Sequence, residues 1–274
     1  LTTIQFSFGQ EENFNFNNKN VLIVYGGYSP HQPKKFAKKI EKWLLKNNAR
    51  VTLSESTKIY SNNQIMDKID LIIQSVTMLD INRNELKGLV RAISNGTGLA
   101  GFHGGLGDSF RNSTEYQYVV GGQFVSHPGG QVLYDVNIID KKDYVTKNIN
   151  DFSLKTEQYY MHVDPNNKVL ATTKFSGNND YWIKNAIIPV IWKKYYGKGR
   201  VFYCSLGHSM DVFDIIEVKE ILKRGLFWAS ESKFKPKENL YFTGQLTVPE
   251  PGVPPSIISG KIVSKIINDS IPLN

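Results

Sequence analysis

Three of the five histidines in this 274-residue chain follow segments that the sequence pattern predicts to be β-strands. His31 lies in the turn after the first predicted strand, His103 follows the fourth, and His208 follows the last central strand. In open parallel sheets, ligands bind beyond the carboxyl ends of the strands. Imidazole titrates near neutral pH and can act as a general acid or base. The three side chains therefore predict a polar pocket at this edge of a sheet.

The segment Gly101-Phe102-His103-Gly104-Gly105 places a titratable side chain between a strand and a turn. A residue in this position can adopt a strained elbow that directs its side chain into the pocket. The neighbouring glycines let backbone N–H groups approach a ligand oxygen. A glycine-rich turn that only needs positive φ is the alternative explanation. Because a histidine occupies the apex, we favour the elbow.

Apolar runs and helical stripes alternate along the first half of the chain, which predicts a parallel sheet with right-handed crossovers. The first run, Val21–Tyr25, ends in two glycines, as expected of a strand buried on both faces. After residue 130, strands without full helices between them predict antiparallel or edge additions. The predicted strands lie at 21–25, 50–53, 71–73, 96–102, 132–139, 157–163, 169–172, 189–195 and 200–205.

Composition shifts along the chain predict three regions. Residues 1–19 are rich in Asn, Gln and Phe and are interpreted as an N-terminal arm. Residues 20–230 form the predicted α/β domain, and the proline-rich residues 231–274 are expected to be a flexible or surface-clasping extension. The chain begins with Leu1 rather than Met, so localisation stays open between the cytoplasm and export after removal of an N-terminal segment.

Charge and cysteine content narrow the classes of function. The net charge is +8, but the densest run of lysines has the spacing of the solvated outer face of one helix. No nucleic-acid recognition motif accompanies the charge, and no segment is apolar over the length of a membrane span. We therefore expect neither a nucleic-acid partner nor a membrane span. The single cysteine, Cys204, lies within an apolar run and is interpreted as buried and inert.

Several ordered motifs between about Asn20 and Ala229 resemble the ThuA-like, or trehalose-utilisation, family. The resemblance implies a fold similar to class I glutamine amidotransferases: a flavodoxin-like three-layer α/β sandwich whose mostly parallel central sheet carries added antiparallel edge strands. The motifs are Gly26-Gly27 with His31, Gly101-Phe102-His103-Gly104-Gly105, Asp108-Ser109-Phe110, Tyr116, Gly121-Gly122-Gln123-Phe124 with His127-Pro128, Glu157-Gln158-Tyr159, Gly197-Lys198-Gly199-Arg200-Val201-Phe202-Tyr203 with Leu206-Gly207-His208, and Phe227-Trp228-Ala229.

The resemblance also places His103 where the amidotransferases carry a nucleophilic cysteine, and His208 where they carry a catalytic histidine. Glutamine amidotransferase activity is therefore not expected. Cys204 cannot replace the nucleophile, because it lies inside a predicted strand several residues before the loop.

The remaining residues predict acid/base chemistry, and the resemblance implies that the substrate is a carbohydrate. We expect His103, His208 and Glu157 to be catalytic, and the resemblance suggests a disaccharide or 3-keto-sugar substrate that is isomerised or cleaved. Asp211 is a further carboxylate candidate beside His208, and aromatic side chains at 116, 159, 160 and 182 are candidates for stacking on a sugar. The expected substrate-binding residues are His31, Gly104, Gly105, Asp108, His127 and Tyr159.

Two other functions stay open at this point. The pocket could belong to a non-catalytic carbohydrate-binding module. Alternatively, two or three histidines with Glu157 could ligate a divalent metal ion in a hydrolase or lyase, although no tight ligand spacing marks such a site. No cofactor is assigned with certainty, the metal is unknown, and a homo-oligomer is neither predicted nor excluded.

Overall fold

A computed structural model describes residues 12–235 of the chain. Most of the predicted C-terminal extension, residues 236–274, and the first eleven residues lie outside the described part. The strands are β1 (Asn20–Gly27), β2 (Arg50–Ser54), β3 (Leu71–Thr77), β4 (Gly98–Phe102), β5 (Gly122–Ser126), β6 (Gln131–Ile138), β7 (Phe152–Glu157), β8 (Tyr160–Val163), β9 (Lys168–Lys174), β10 (Ile187–Tyr196) and β11 (Gly199–Cys204). The α-helices are α1 (Pro33–Lys46), α2 (Asn63–Met66), α3 (Arg83–Ser94), α4 (Gly104–Gly107), α5 (Thr114–Val120) and α6 (Ile216–Ser230).

Nine of these strands form one mixed sheet in the order β2-β1-β3-β4-β11-β10-β9-β6-β7. The pairs from β2 to β11 are parallel, and those from β11 to β7 are antiparallel. The parallel strands are joined by helices in the first half of the chain, while the antiparallel strands come from the helix-poor second half. The predicted fold class, a flavodoxin-like α/β sandwich with antiparallel additions at one edge, is confirmed.

Strand β1 shows why the sheet is covered on both faces. Val21 and Ile23 lie in a core shared with α1 and α6, whereas Leu22 and Val24 lie in a second core shared with α3 and α5. Successive side chains of a strand point to opposite faces, so an apolar run without alternation requires an apolar layer on each side. The helices therefore make the two outer layers of the sandwich.

The predicted strand at 157–163 is wrong in one respect that matters for the site. Strand β7 ends at Glu157, and a new strand, β8, begins at Tyr160 and pairs only with β5 in a separate two-stranded sheet. Tyr159 and its neighbour Gln158 thus lie at a crossover between two sheets. This crossover lets Tyr159 turn towards β4, as described below.

The basic run on α1 has the predicted solvated position. Its lysines are exposed, and three of them pair with carboxylates within 3.0 Å, namely Lys34 with Glu55, Lys38 with Glu41 and Lys39 with Asp214. Among the described residues, no helix has the length and apolar character needed to cross a membrane.

A buried ion cluster fastens the antiparallel half of the sheet to the loop after β6. Asp143 is 7% exposed and accepts hydrogen bonds from Lys193 of β10 at 2.6 Å and from Lys168 of β9 at 2.7 Å. Burial alone would raise the pKa of Asp143, but these two ammonium groups outweigh it and hold the pKa below its usual range. Lys193 is itself buried, so its charge depends on Asp143.

We predict that Asp143→Asn destabilises the protein by about 3 kcal/mol, because it leaves the Lys193 charge buried without an anionic partner. The measurement is the free energy of unfolding in urea. The matched control is Asp214→Asn, which removes an exposed partner of Lys39 and is expected to unfold as wild type does. Equal stabilities of the two variants would contradict the role given to Asp143.

Candidate active site

His103 lies at the elbow between β4 and the short helix α4, with φ 49° and ψ −143°. This is a rare backbone conformation for any residue other than glycine. The adjacent Gly104 and Gly105 have ordinary negative φ, so the positive φ of the turn belongs to the histidine itself. The strained elbow proposed from the sequence is therefore present at His103.

Hydrogen bonds on every side hold His103 in this conformation. Its backbone N–H donates to Cys204 at 2.7 Å, and its carbonyl accepts from the Tyr203 hydroxyl at 3.1 Å. Its ring Nδ1 lies 2.8 Å from the carbonyl oxygen of Ser205. A carbonyl can only accept, so Nδ1 carries the proton, and in a neutral ring Nε2 carries the lone pair. Strand β11 and the residue after it thus fix both the elbow and the tautomer.

Tyr159 reaches His103 from the crossover after β7. The two rings stack with centroids 4.0 Å apart, and the phenol oxygen lies 2.8 Å from His103 Nε2. Burial raises the pKa of Tyr159 well above its usual range, so the hydroxyl keeps its proton and donates to Nε2. Tyr159 therefore both packs against the ring and satisfies its lone pair.

The carboxylate of Glu157 lies between two imidazoles. Oε2 is 3.0 Å from His103 Nε2, and Oε1 is 3.1 Å from His208 Nδ1. The second contact has the distance but not the angle of a hydrogen bond. Burial alone would raise the pKa of Glu157, yet the two histidines outweigh it and hold the pKa below its usual range. Burial lowers the pKa of His103. The low pKa of Glu157 thus requires a proton or another positive charge on its histidine side, whereas burial alone favours the neutral ring of His103.

His31 completes the cluster from the turn after β1. Its ring centroid lies 4.9 Å from that of His103 and 5.2 Å from that of His208, and its Nδ1 is 3.2 Å from Thr77 Oγ1. Burial lowers the pKa of His31 to about 4, and the neighbouring histidines add to this effect. Its imidazole is therefore neutral near pH 7.

Gly104 and Gly105 make room for this arrangement by close packing. A Cβ atom on Gly104 would lie 2.9 Å from both His31 Cε1 and Thr77 Cγ2, and one on Gly105 would lie 2.7 Å from Ser75 Cα. The expectation that Gly104 and Gly105 bind substrate stays a prediction. The structure shows that the absence of a side chain at both positions lets α4 approach β3 and His31.

Four of the nominated residues come together as one group. His31, His103, Glu157 and His208 each offer a nitrogen or oxygen atom, and these atoms all lie within 4.8 Å of one another. They come from the loop after β1, the elbow after β4, the end of β7 and the loop after β11. The first, second and fourth positions follow the strand-end rule that predicted the pocket.

The other nominated residues lie further out. His127 Nε2 is 3.8 Å from Glu157 Oε1 on a half-exposed ring, which places His127 at the rim. The buried carboxylate of Asp108 binds the guanidinium of Arg111, with Nη2 to Oδ2 at 2.8 Å, and is not part of the four-residue cluster. Asp211 is exposed and also outside the cluster. The sequence pattern did not reveal that Asp108 forms an ion pair with Arg111 and is therefore not a free carboxylate in the pocket.

The aromatic candidates for sugar stacking separate by burial. Tyr116 is buried in the core, where its hydroxyl bonds Gln74, and Tyr160 packs on Phe175. Tyr159 stacks on His103 as described above. Trp182 is 90% exposed, so it is the candidate whose faces are open to a ligand.

Two supporting groups were not nominated from the sequence. Thr77, at the carboxyl end of β3, contacts His31, and the backbone carbonyl of Ser205 contacts His103. The strand-end rule did not find Thr77, because the predicted strand at 71–73 stops four residues before the end of β3. The Ser205 carbonyl could not have been found, because every residue has a backbone carbonyl and the sequence does not show which of them contacts His103.

Together, the fold and the pocket define an α/β protein of the flavodoxin-like class with a histidine-lined site at its strand ends. The family model for ThuA, described as trehalose utilisation, matches residues 20–229. The chain belongs to this family.

Solved structures agree with the fold. A ThuA-like protein from Bacteroides uniformis is 17% identical with a TM-score of 0.65, over 82% of this chain and 96% of its own. A ThuA-like protein from Parabacteroides merdae is also 17% identical, with a TM-score of 0.62 over 86% of this chain and 95% of its own. A protein from Salmonella typhimurium is 14% identical, with a TM-score of 0.52 over 80% and 100%. A search of curated proteins finds no significant match.

We predict that His31 makes the folded protein sensitive to mild acid. Its pKa is about 4 when folded and near 6.5 when unfolded, so between these values the unfolded chain binds more protons and acidification favours unfolding. His31→Gln should therefore lose less stability than wild type between pH 7 and pH 5. The measurement is urea unfolding at both pH values in a buffer with EDTA, which keeps divalent ions from competing with protons.

The matched control is His162→Gln, since His162 is exposed on β8 and lies outside the cluster. This variant should lose as much stability on acidification as wild type. An acid-induced loss that is identical in His31→Gln and wild type would contradict the environment assigned to His31.

Proposed function

We propose that this chain is a carbohydrate-processing enzyme that acts on a keto-sugar derivative of a disaccharide by acid/base chemistry. The family's description, trehalose utilisation, points to a role in carbohydrate use. The observation that carries the finer proposal is the Glu157 carboxylate held 3.0 and 3.1 Å from the imidazoles of His103 and His208. Such a set of residues suits the transfer of protons near neutral pH.

A 3-keto sugar is the substrate class for which this chemistry is sufficient. A carbonyl at C-3 makes the proton on C-2 more acidic. The glycosidic oxygen is attached to C-1, the neighbour of C-2, and can therefore leave once the C-2 proton has been removed. Removal of the C-2 proton gives an enolate that can follow two routes. In the first route a proton adds to C-3, the C-2 hydroxyl gives up its proton and the oxygen on C-3 gains one, so that the carbonyl moves to C-2 and the sugar is isomerised. In the second route the C-1 to oxygen bond breaks, a proton is delivered to the leaving oxygen and a C-1 to C-2 double bond forms beside the restored C-3 carbonyl, so that the disaccharide is cleaved.

The two histidines are assigned as the acid/base pair. One imidazole accepts the C-2 proton as the neutral base, and the other, as imidazolium, delivers the proton to C-3 or to the leaving oxygen. Glu157 contacts both rings and stabilises whichever of them is charged. His31 contacts the rings of His103 and His208 and positions both, and Tyr159 stacks on His103 and positions that ring. His127 lies at the rim, where a sugar would enter.

Amidotransferase chemistry is not part of the proposal. The elbow that carries the nucleophilic cysteine of that class carries His103 here. Cys204 is fully buried inside β11, and burial raises its pKa to about 12, so it supplies no thiolate near neutral pH.

We predict that the protein exchanges the C-2 proton of a 3-keto disaccharide for deuterium in heavy water. Proton NMR and mass spectrometry of the recovered sugar and its products measure the exchange. Glu157→Gln, His208→Gln and His103→Asn should each slow it by about 100-fold or more, the usual worth of a positioned acid or base. Asparagine is chosen at 103 because it tolerates positive φ.

The control variant is His162→Gln, which leaves the pocket intact and should exchange at the wild-type rate. Exchange that is unchanged in Glu157→Gln and His103→Asn would contradict the assignment. Saturable binding of the disaccharide without any exchange or product would instead identify a carbohydrate-binding module and overturn the enzymatic proposal.

A further inference from the structure

The contact between His103 and Glu157 joins two hydrogen-bond acceptors. His103 Nδ1 donates to Ser205, so Nε2 of the neutral ring has only a lone pair, and that lone pair already accepts from Tyr159. Glu157 Oε2 nevertheless lies 3.0 Å from the same nitrogen. Two lone pairs at this distance repel each other unless a proton or a cation lies between them.

A second contact without an explanation lies on the other side of the carboxylate. His208 Nδ1 is buried, makes no hydrogen bond within the described residues, and lies 3.1 Å from Glu157 Oε1. A buried polar atom without a partner is costly and calls for an explanation. One positive ion close to Glu157 would resolve both contacts at once.

We propose that His31, His103, Glu157 and His208 form a binding site for one divalent transition-metal ion. The inference rests on the geometry of the four side chains and needs no assumption about the sugar. Two ligand atoms bound about 2.1 Å from a tetrahedral metal lie about 3.4 Å apart. The spacings of 3.0 and 3.1 Å around Glu157 are close to that value, and the whole set lies within 4.8 Å.

The groups behind the histidines also match those of metal ligands. A metal-bound histidine usually hydrogen-bonds through its second ring nitrogen to a carbonyl, carboxylate or water, which fixes the orientation of the ring. His103 has the Ser205 carbonyl at 2.8 Å, and His31 has the Thr77 hydroxyl at 3.2 Å. His103 therefore turns its remaining nitrogen, Nε2, towards Glu157, and the Thr77 contact leaves Nε2 of His31 as the nitrogen that would bind the ion.

The ligand set indicates the chemical class of the ion. Three imidazoles and one carboxylate suit zinc, cobalt or nickel, whereas magnesium and calcium prefer a shell of oxygen atoms. Tyr159 must turn its hydroxyl away from His103 Nε2 when that nitrogen binds a metal, and it can then donate to a ligand oxygen on the ion. A bound ion would supply polarisation of a sugar carbonyl. With the ion bound, the lone pairs of His103 and His208 would be occupied, so these rings would hold the ion and would not act as the acid/base pair.

The direct test is isothermal titration of metal-free protein with Zn²⁺ and Co²⁺, combined with elemental analysis after dialysis. We expect one tightly bound ion per chain, a d–d absorption spectrum of low-coordinate Co²⁺, and no comparable binding of Mg²⁺. His208→Ala and Glu157→Gln should each weaken binding by about 100-fold or more, and Thr77→Val by about tenfold through loss of the His31 contact.

The control is His162→Ala, which removes an exposed histidine outside the cluster and should bind the ion as wild type does. Unfolding curves of every variant show whether the fold is retained, and Glu157→Gln preserves side-chain volume if an alanine variant fails to fold. Absence of stoichiometric binding, or binding that is equal in wild type and Glu157→Gln, would overturn the proposal.

The outcome is separable from that of the proposed function, because the titration contains no sugar. Deuterium exchange that survives chelation would leave the acid/base proposal standing without the ion. Metal binding without any exchange would support the metal site and remove the proposed reaction.

Discussion

The structure of the site depends on one carboxylate, that of Glu157, held at 8% exposure against two imidazoles. Burial of an ionised carboxylate is costly unless positive charge or hydrogen-bond donors compensate it. Here the neighbours are His103 and His208, and the tautomer of His103 turns an acceptor, rather than a donor, towards Glu157. The compensation must therefore come from a proton or a cation in the same small volume. A proton there leaves His103 and His208 as an acid/base pair, whereas a metal ion there takes up their lone pairs, so the two proposals are alternative answers to this requirement.

The fold sustains the strain that this arrangement demands. A histidine at φ 49° persists only where its surroundings fix it more strongly than the strain opposes it. Strand β11 holds His103 in this conformation because it pairs in parallel with β4. Its residues Tyr203 and Cys204, together with Ser205 just after the strand, hydrogen-bond the elbow. The glycines of α4 then let His31 approach from β1. The central parallel strands thus act as the rigid support of the pocket.

The sequence allowed much of this to be predicted because the parallel half of the sheet follows simple rules. Apolar strands alternating with helices predicted the fold, and the strand-end rule placed His31, His103 and His208 at one edge. Glu157 entered only through resemblance to a family, because it ends β7, at the far antiparallel edge of the sheet. No local pattern shows that this crossover returns to β4. The pairing of Asp108 with Arg111 was missed because the sequence alone does not show which cationic side chain binds a given carboxylate.

The Ser205 carbonyl fixes His103 as the Nδ1-protonated tautomer, with Nε2 directed at Glu157. Long-range proton–nitrogen NMR of metal-free protein labelled with ¹⁵N-histidine measures this tautomer at neutral pH. We expect His103 Nδ1 to carry a directly bonded proton and its Nε2 signal to change on addition of Zn²⁺. A His103 ring with unprotonated Nδ1, or an Nε2 signal that zinc leaves unchanged, would contradict it.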